Sequence, residues 1–207
     1  MRKKMLIVLF GRGSHGKTTS LRELVKKLCG HDEPVFNNQL SKVMNPNGHP
    51  KDVRFIIEYH GYYIFVATGG DNWGICRVNT LFFERESSGN VDVWLVEKGN
   101  IKELGKEDKH LFKSITPTVC VTSCRPDGDG YGALKAINNY VEKTMSRAVS
   151  KSLSDLNESY ERIIWLSKFD GLGKASKEAI NKNANTKAVE MKALIDDYLG
   201  LGNNNNN

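Results

Sequence analysis

Eight consecutive residues near the start of the chain, residues 11–18, read G-R-G-S-H-G-K-T and match the pattern G-x-x-x-x-G-K-[ST]. The three glycines permit backbone angles and close approaches that a β-carbon would block. The lysine supplies a compact positive charge, and the threonine after it supplies a hydroxyl that can ligate Mg²⁺. These residue types at this spacing predict a loop that binds the phosphates of a nucleotide together with magnesium.

The pattern predicts a role for individual members of this loop. Lys17 is assigned to the β- and γ-phosphates and to catalysis, and Thr18 to the magnesium ion. Thr19 is assigned near the α-phosphate, although it is equally typical of the first turn of a helix. His15 stands at a variable position, so no general-base role is expected. The predicted phosphate-contacting residues are Gly11, Arg12, Gly13, Ser14, His15, Gly16, Lys17, Thr18 and Thr19.

The segments on either side of the loop are those that an anion site needs. Residues 5–10 are continuously apolar, which is typical of a strand buried on both faces of a parallel sheet. Beyond the loop, leucine and valine residues recur at helical spacing and predict a helix over residues 18–29. A helix that begins at the loop directs its unpaired N–H groups and the positive end of its dipole toward a bound anion.

The composition favours one ordinary globular domain. The chain has 207 residues, of which 39% are hydrophobic and 26% charged, enough to bury a full core. A single nucleotide-binding domain is expected over residues 1–202, and the asparagine-only residues 203–207 are expected to be a disordered tail. The longest apolar runs are too short for a signal peptide or a membrane span, so a cytoplasmic location and no membrane partner are expected.

The charge and the cysteine pattern narrow the classes of partner and site. A formal net charge of +6 favours an acidic partner, and a nucleotide meets part of that need. Nucleic acid stays an unsupported partner, because no stripe of aromatic and basic residues suited to stacking bases is found. The 4 cysteines lack paired spacing and the 5 histidines are scattered, which argues against a zinc site or a disulfide framework and favours reduced thiols.

Strand-like and helix-like segments alternate after the loop. This pattern predicts an α/β fold of three layers with a mostly parallel sheet. Residues 53–59 and 62–67 flank the dipeptide His60-Gly61, which predicts one antiparallel hairpin within that sheet. The other elements expected are strands over residues 91–96, 119–122 and 162–166, helices over residues 73–84, 101–115, 134–148 and 188–199, and a mobile loop over residues 30–51.

This order of segments resembles the P-loop NTPases and, within them, the small GTPases. Phosphate loop, helix, loop, antiparallel hairpin and then alternating strands and helices follow one another in both. In small GTPases the hairpin leads to a D-x-x-G motif, whose aspartate reaches Mg²⁺ through water and whose glycine senses the γ-phosphate. The matching stretch here, residues 67–70, is A-T-G-G and lacks the aspartate.

The resemblance also implies where a base would be read. The N-K-x-D motif of GTPases is replaced here by T-S-C-R-P-D over residues 122–127, in which Asp127 is one candidate for the guanine edge. Residues 167–173, S-K-F-D-G-L-G, are similar to the S-A-K region that lies against the base. The same segment also fits a displaced N-K-x-D, with Lys168 stacking on the base and Asp170 accepting its hydrogen bonds. Because no complete guanine-reading motif is present, ATP is preferred over GTP.

Completing the magnesium site needs a carboxylate at the end of an apolar strand, as in a Walker B motif. Asp71 ranks first, because it follows the strand that occupies the metal position in small GTPases. Glu97 ranks second on its local pattern V-W-L-V-E, and Glu58 ends a shorter version. Arg125, in a turn-rich segment, is the candidate to neutralise charge on the transferring phosphoryl group. The plainer interpretation of each is a solvated surface charge.

We expect Mg²⁺-dependent hydrolysis of a nucleoside triphosphate that drives a conformational switch read by a protein partner. The triphosphate would order residues 30–51 and 68–71, and hydrolysis would release them. One alternative is a P-loop kinase acting on a small molecule or nucleotide, which ranks lower because no dense arginine cluster lies between Arg77 and Arg125. Another is a nucleotide-binding interaction module with little turnover, which the missing aspartate at position 67 supports.

Overall fold

The computed structural model describes residues 4–10, 16–30, 53–69, 93–97, 100–105, 108, 114–124, 160–167 and 176–202. These ranges hold seven strands and two helices. The helices are α1 (Lys17–Cys29) and α2 (Lys177–Tyr198). The strands are β1 (Met5–Phe10), β2 (Arg54–Tyr59), β3 (Tyr62–Ala67), β4 (Val93–Glu97), β5 (Asn100–Leu104), β6 (Val119–Cys124) and β7 (Arg162–Ser167).

All seven strands form one sheet in the order β5-β4-β2-β3-β6-β1-β7. Strand β1 pairs in parallel with β6 and β7, β3 pairs in parallel with β6, and β2 pairs in parallel with β4. The pairs β2–β3 and β4–β5 are antiparallel. The expectation of an α/β protein with a mostly parallel sheet is therefore confirmed.

The hairpin predicted around His60-Gly61 is also confirmed. Tyr59 and Tyr62 are register partners, so the two residues between them form the turn. His60 has φ 50° and Gly61 has φ 78°, and a two-residue turn with positive φ at both positions matches the twist of the flanking strands. Glycine adopts that backbone conformation without a steric penalty, which explains its place in the turn.

The prediction of a helix over residues 101–115 is wrong for residues 101–104. Residues 100–104 form β5, which pairs with β4 through the partners Val96–Ile101 and Val93–Leu104. The spacing of Ile101 and Leu104 fits one face of a helix. However, the segment lies beside the open edge of β4, whose backbone N–H and C=O groups need partners. Strand pairing satisfies those groups, and it adds a second antiparallel pair to the one expected.

The hydrophobic core lies between the sheet and the two helices, which pack against each other. From α1, Leu21 and Leu24 are fully buried, and from α2, Met191 and Ile195 are fully buried. The residues of β1 alternate between the two faces of the sheet. Both sets are buried, Met5, Ile7 and Leu9 on the face of the helices and Leu6 and Val8 on the other. The apolar run of β1 thus has the burial on both faces that its sequence predicted.

Strand direction decides which residues share an edge of the sheet. Strands β1, β3, β6 and β7 run in one direction, so their last residues lie at one edge, named here the carboxyl edge. Strands β2 and β4 run the other way and begin at the carboxyl edge. In open α/β sheets, ligands bind at the edge formed by the carboxyl ends of the parallel strands. Helix α1 follows β1 and begins at this edge.

Two further predictions concern the cysteines and the membrane. Among the described residues, Cys29 and Cys120 form no disulfide bond. Burial raises the pKa of the Cys29 thiol to about 12, so this group stays protonated at neutral pH. Neither described helix combines the length and the apolar composition needed to cross a bilayer.

Candidate functional site

The start of α1 has a backbone geometry that can accept an anion. Gly16, the N-cap residue, has φ 76° and ψ 26°, a left-handed conformation that favours glycine. Among the described residues no side chain caps this end of the helix, and its first turn carries no acidic residue. The first N–H groups of any helix have no intrahelical acceptor, and the helix dipole places positive potential there. The last three positions of the predicted loop thus stand where a phosphate would meet these donors.

Lys17 lies in the first turn of α1, and only 9% of its surface is exposed. A lysine in the first turn adds its positive charge to that of the helix dipole, and both attract an anion. The backbone beneath it is firmly held, because the Ser20 amide donates to the Gly16 carbonyl oxygen at 2.9 Å and the Ser20 hydroxyl donates to it at 3.2 Å. The arrangement suits a multiply charged anion.

Three elements converge beside Thr18 at the carboxyl edge. The Thr18 hydroxyl donates to the carbonyl oxygen of Thr68, which directly follows β3, over 3.5 Å. The hydroxyl of Ser123, near the end of β6, donates to the same oxygen at 3.2 Å. The predicted metal-binding hydroxyl therefore lies beside the ends of two strands. Thr19 occupies the same first turn and is half-buried.

Thr68 is anchored to the start of β2 as well. Its amide donates to the Val53 carbonyl oxygen at 2.9 Å, and its hydroxyl donates to that oxygen at 3.2 Å. In return, the Val53 amide donates to the Thr68 hydroxyl at 2.9 Å. Sequence reasoning assigned no role to Thr68 or Ser123. The available signal was a small hydroxyl residue at the end of each of two apolar strands that lead to the same edge.

The strand order bears on the prediction that Asp71 completes the metal site. Strand β3, which leads toward Asp71, is separated from β1 by β6. The end of β3 nevertheless reaches the start of α1, because the Thr68 carbonyl oxygen is within 3.5 Å of the Thr18 hydroxyl. Asp71 itself lies outside the described residues, and its role in the metal site stays a prediction.

Glu97 lies at the opposite edge of the sheet. It ends β4, which runs antiparallel to β3, and its carboxylate accepts a hydrogen bond from the Tyr63 hydroxyl at 3.4 Å. Tyr63 is near the amino end of β3, and Thr68 follows the carboxyl end. Five residues of strand span about 17 Å. The prediction that Glu97 ligates the same ion as Thr18 is therefore wrong, and Glu58, near the end of β2, is excluded by the same geometry.

The positions of Glu97 and Thr18 at opposite edges of the sheet give a prediction for each side chain. We expect Glu97→Gln to leave the Mg²⁺ dependence of nucleotide affinity unchanged, because its carboxylate lies at the wrong edge. Thr18→Ala should raise the Mg²⁺ concentration needed for half-maximal nucleotide binding about ten-fold or more, because it removes the predicted metal ligand. Titration of a fluorescent triphosphate at stepped Mg²⁺ concentrations measures both. A Glu97→Gln effect equal to that of Thr18→Ala would contradict this placement.

The remaining predicted site residues lie outside the described residues. These are Gly11, Arg12, Gly13, Ser14, His15, Asp71, Arg125, Lys168 and Asp170. The strand ends that precede three of them are described. Phe10 is the register partner of both Cys124 and Ser167, so the backbone at these three positions is level at the carboxyl edge. Gly11, Arg125 and Lys168 therefore follow the ends of three adjacent strands, and neighbouring strands are about 4.8 Å apart.

Sequence reasoning did not consider two buried arginines, of which Arg54 lies at this edge. Arg54 begins β2 opposite Ala67 and is 6% exposed, and Arg22 in α1 is 8% exposed. Burial lowers the pKa of both guanidinium groups, and the Glu23 carboxylate partly opposes that shift in the pKa of Arg22.

The donor set at the start of α1 fits magnesium bound together with phosphates. Magnesium retains several waters and takes few protein ligands when phosphate oxygens are present. The described residues contain no group of three or more histidine, cysteine, aspartate or glutamate side chains able to hold a metal ion. A single protein hydroxyl, that of Thr18, is consistent with a phosphate-assisted site.

The chain is thus an α/β protein whose helix α1 begins at the carboxyl edge of a mostly parallel sheet. The end of the glycine-rich motif, a buried lysine and two further hydroxyl residues lie at that edge. Comparisons of the chain with protein-family models, with curated proteins and with solved structures found no match.

Proposed function

We propose that this protein binds a magnesium–nucleoside triphosphate at the carboxyl edge, with ATP preferred over GTP, as a single three-layer P-loop domain over residues 1–202. The observation that carries the proposal is the position of Gly16, Lys17 and Thr18. The last three residues of the G-x-x-x-x-G-K-T motif lie at the start of α1, with the glycine left-handed and the lysine buried. This is the context in which the motif binds phosphate.

Each residue of the motif then has a physical task. The Lys17 ammonium group balances charge on the β- and γ-phosphates, and the first-turn amides of α1 donate to phosphate oxygens. The Thr18 hydroxyl oxygen ligates the magnesium ion. Magnesium, when bound, neutralises charge on the phosphate oxygens. Asp71 is the proposed carboxylate of the metal shell, and Arg125 the proposed cation near the transferring group.

Hydrolysis that drives a conformational switch remains the favoured reaction. The contact between Thr18 and the Thr68 carbonyl supports it, because it joins the metal-binding hydroxyl to the segment that follows β3. A change at the γ-phosphate could therefore move residues 68–71, as the proposed switch requires. A protein partner that reads this movement, in the cytoplasm, belongs to the same proposal.

A binding module with little turnover is the second candidate, and one observation favours it. Ala67, at the position of the D-x-x-G aspartate, ends β3 fully buried opposite Arg54. A methyl group at that position holds neither water nor metal. If no carboxylate replaces it, the protein would bind the nucleotide without the group that completes the magnesium shell in small GTPases.

A thermal-shift comparison of ATP, GTP, ADP and GDP, with and without Mg²⁺, tests the binding. A ligand that binds only the folded state, at 100 times its Kd, stabilises it by about 2.7 kcal/mol. For a chain of this size, we expect Mg²⁺–ATP to raise the Tm by roughly 5–10 °C, and by more than Mg²⁺–ADP does. The absence of any shift with millimolar triphosphate would contradict the proposed function.

Turnover of γ-labelled triphosphate then separates the classes. Release of free phosphate by the protein alone supports the switch, and label on an added small-molecule or nucleotide acceptor supports a kinase. Tight binding with neither product supports the module.

A further inference from the structure

The carbonyl oxygen of Thr68 accepts hydrogen bonds from two hydroxyl groups on different elements. Ser123 donates from β6 at 3.2 Å, and Thr18 donates from α1 at 3.5 Å. Thr68 is 2% exposed and Ser123 is 1% exposed, so water has little access to their bond. The three residues form a chain of contacts that runs from β6 through the end of β3 to the start of α1.

A hydroxyl group has one proton and two lone pairs. When the Thr18 proton points at the Thr68 carbonyl, the lone pairs of its oxygen point elsewhere and can ligate a cation. The orientation of the Thr18 hydroxyl therefore depends on where the Thr68 carbonyl lies. At 3.5 Å this contact is long for an O–H···O bond, so a small displacement of the carbonyl would abolish it.

The Thr68 carbonyl is held by its other neighbours. The amide and hydroxyl of Thr68 are bonded to Val53, which fixes the residue against the start of β2. Its carbonyl oxygen receives the shorter of its two bonds from Ser123. Groups that orient a metal ligand in this way change metal affinity without touching the metal.

We propose that Ser123 is a positioning residue for the magnesium site: it fixes the Thr68 carbonyl, which in turn orients the Thr18 hydroxyl toward the ion. The inference rests on the proposed function, because it needs a metal bound with the nucleotide. It assigns Ser123 no contact with nucleotide or metal. It predicts that a change at Ser123 alters metal affinity but not metal-free triphosphate affinity. A general loss of structure would alter both.

The test compares Ser123→Ala with Thr122→Val, its neighbour in β6. Thr122 is also 1% exposed, and its hydroxyl has no hydrogen-bond partner among the described residues, so valine replaces it at equal size. The Mg²⁺ concentration needed for half-maximal binding of a fluorescent triphosphate is measured for each, and triphosphate affinity is measured in EDTA. An electron paramagnetic resonance titration with Mn²⁺, at saturating nucleotide, gives the metal affinity directly.

We expect Ser123→Ala to need about ten-fold more Mg²⁺ or Mn²⁺, with the metal-free triphosphate affinity unchanged. Thr122→Val should have the metal affinity of the wild type. Ser123→Thr, which keeps a hydroxyl group, should retain most of that affinity. If Ser123→Ala does not fold, Ser123→Cys keeps the volume with a weaker donor and should give a smaller loss in the same direction.

Four outcomes would overturn the inference. An unchanged metal affinity in Ser123→Ala would remove Ser123 from the site and leave the proposed function intact. If Ser123→Ala lost as much triphosphate affinity without metal as with it, the role of Ser123 would be structural only. A loss of metal affinity in Thr122→Val similar to that in Ser123→Ala would lead to the same conclusion. A wild-type protein that binds no triphosphate would remove the proposed function and this inference together.

Discussion

Lys17→Ala is expected to weaken triphosphate binding by about thirty-fold or more. Lys17 lies in the first turn of α1 and is 9% exposed, so water screens its interaction with the predicted phosphates only weakly. Truncating one partner of a buried charge pair costs about 2–5 kcal/mol, and each 1.4 kcal/mol is about ten-fold in affinity. Calorimetry or a fluorescent-nucleotide titration at constant salt and Mg²⁺ measures the loss.

The matched control is Lys26→Ala on the same helix. Lys26 lies near the other end of α1, where its ammonium group bonds Glu23 at 2.8 Å as a partly exposed surface pair. Such pairs contribute less than about 1 kcal/mol to stability, and this one lies away from the predicted phosphates. We therefore expect Lys26→Ala to leave triphosphate affinity unchanged. Unchanged affinity in Lys17→Ala itself would contradict the role assigned to Lys17.

Ile195→Ala is expected to lower the free energy of unfolding by about 2–5 kcal/mol. Ile195 is fully buried in α2, within the core that joins the two helices to the sheet. Removing three carbons leaves a cavity that the close-packed surroundings fill only in part. For a chain of this size the Tm should fall by roughly 5–15 °C. Urea and thermal unfolding, followed by circular dichroism, measure both quantities.

Val189→Ala on the same helix is the control. Val189 is 51% exposed, so the change removes two methyl carbons that are already largely in water. Its effect on the free energy of unfolding should stay within about 0.5 kcal/mol. If the two variants lost equal free energy of unfolding, the face of α2 that carries Ile195 would not be the face that packs against the core.

Local patterns account for the parts of the fold that were predicted well. The apolar run of β1, the helical spacing in α1 and the His60-Gly61 turn each reflect a preference of neighbouring residues, and each is confirmed. The failure at residues 100–104 has a different cause. There the apolar spacing fits a helix, but pairing with the open edge of β4, which is separated from β5 by only two residues, decided the outcome. The prediction gave weight to the helical spacing and none to the neighbouring strand.

The sequence by itself determined the chemistry proposed at the start of α1, because glycine, lysine and threonine at that spacing have few other uses. Only the tertiary structure decided which residues surround it. Strand order and direction arise from pairing and packing between segments far apart in sequence, which no local pattern of residues reports. They place β6 between β1 and β3, bring Ser123 and Thr68 to Thr18, and put Glu97 at the far edge.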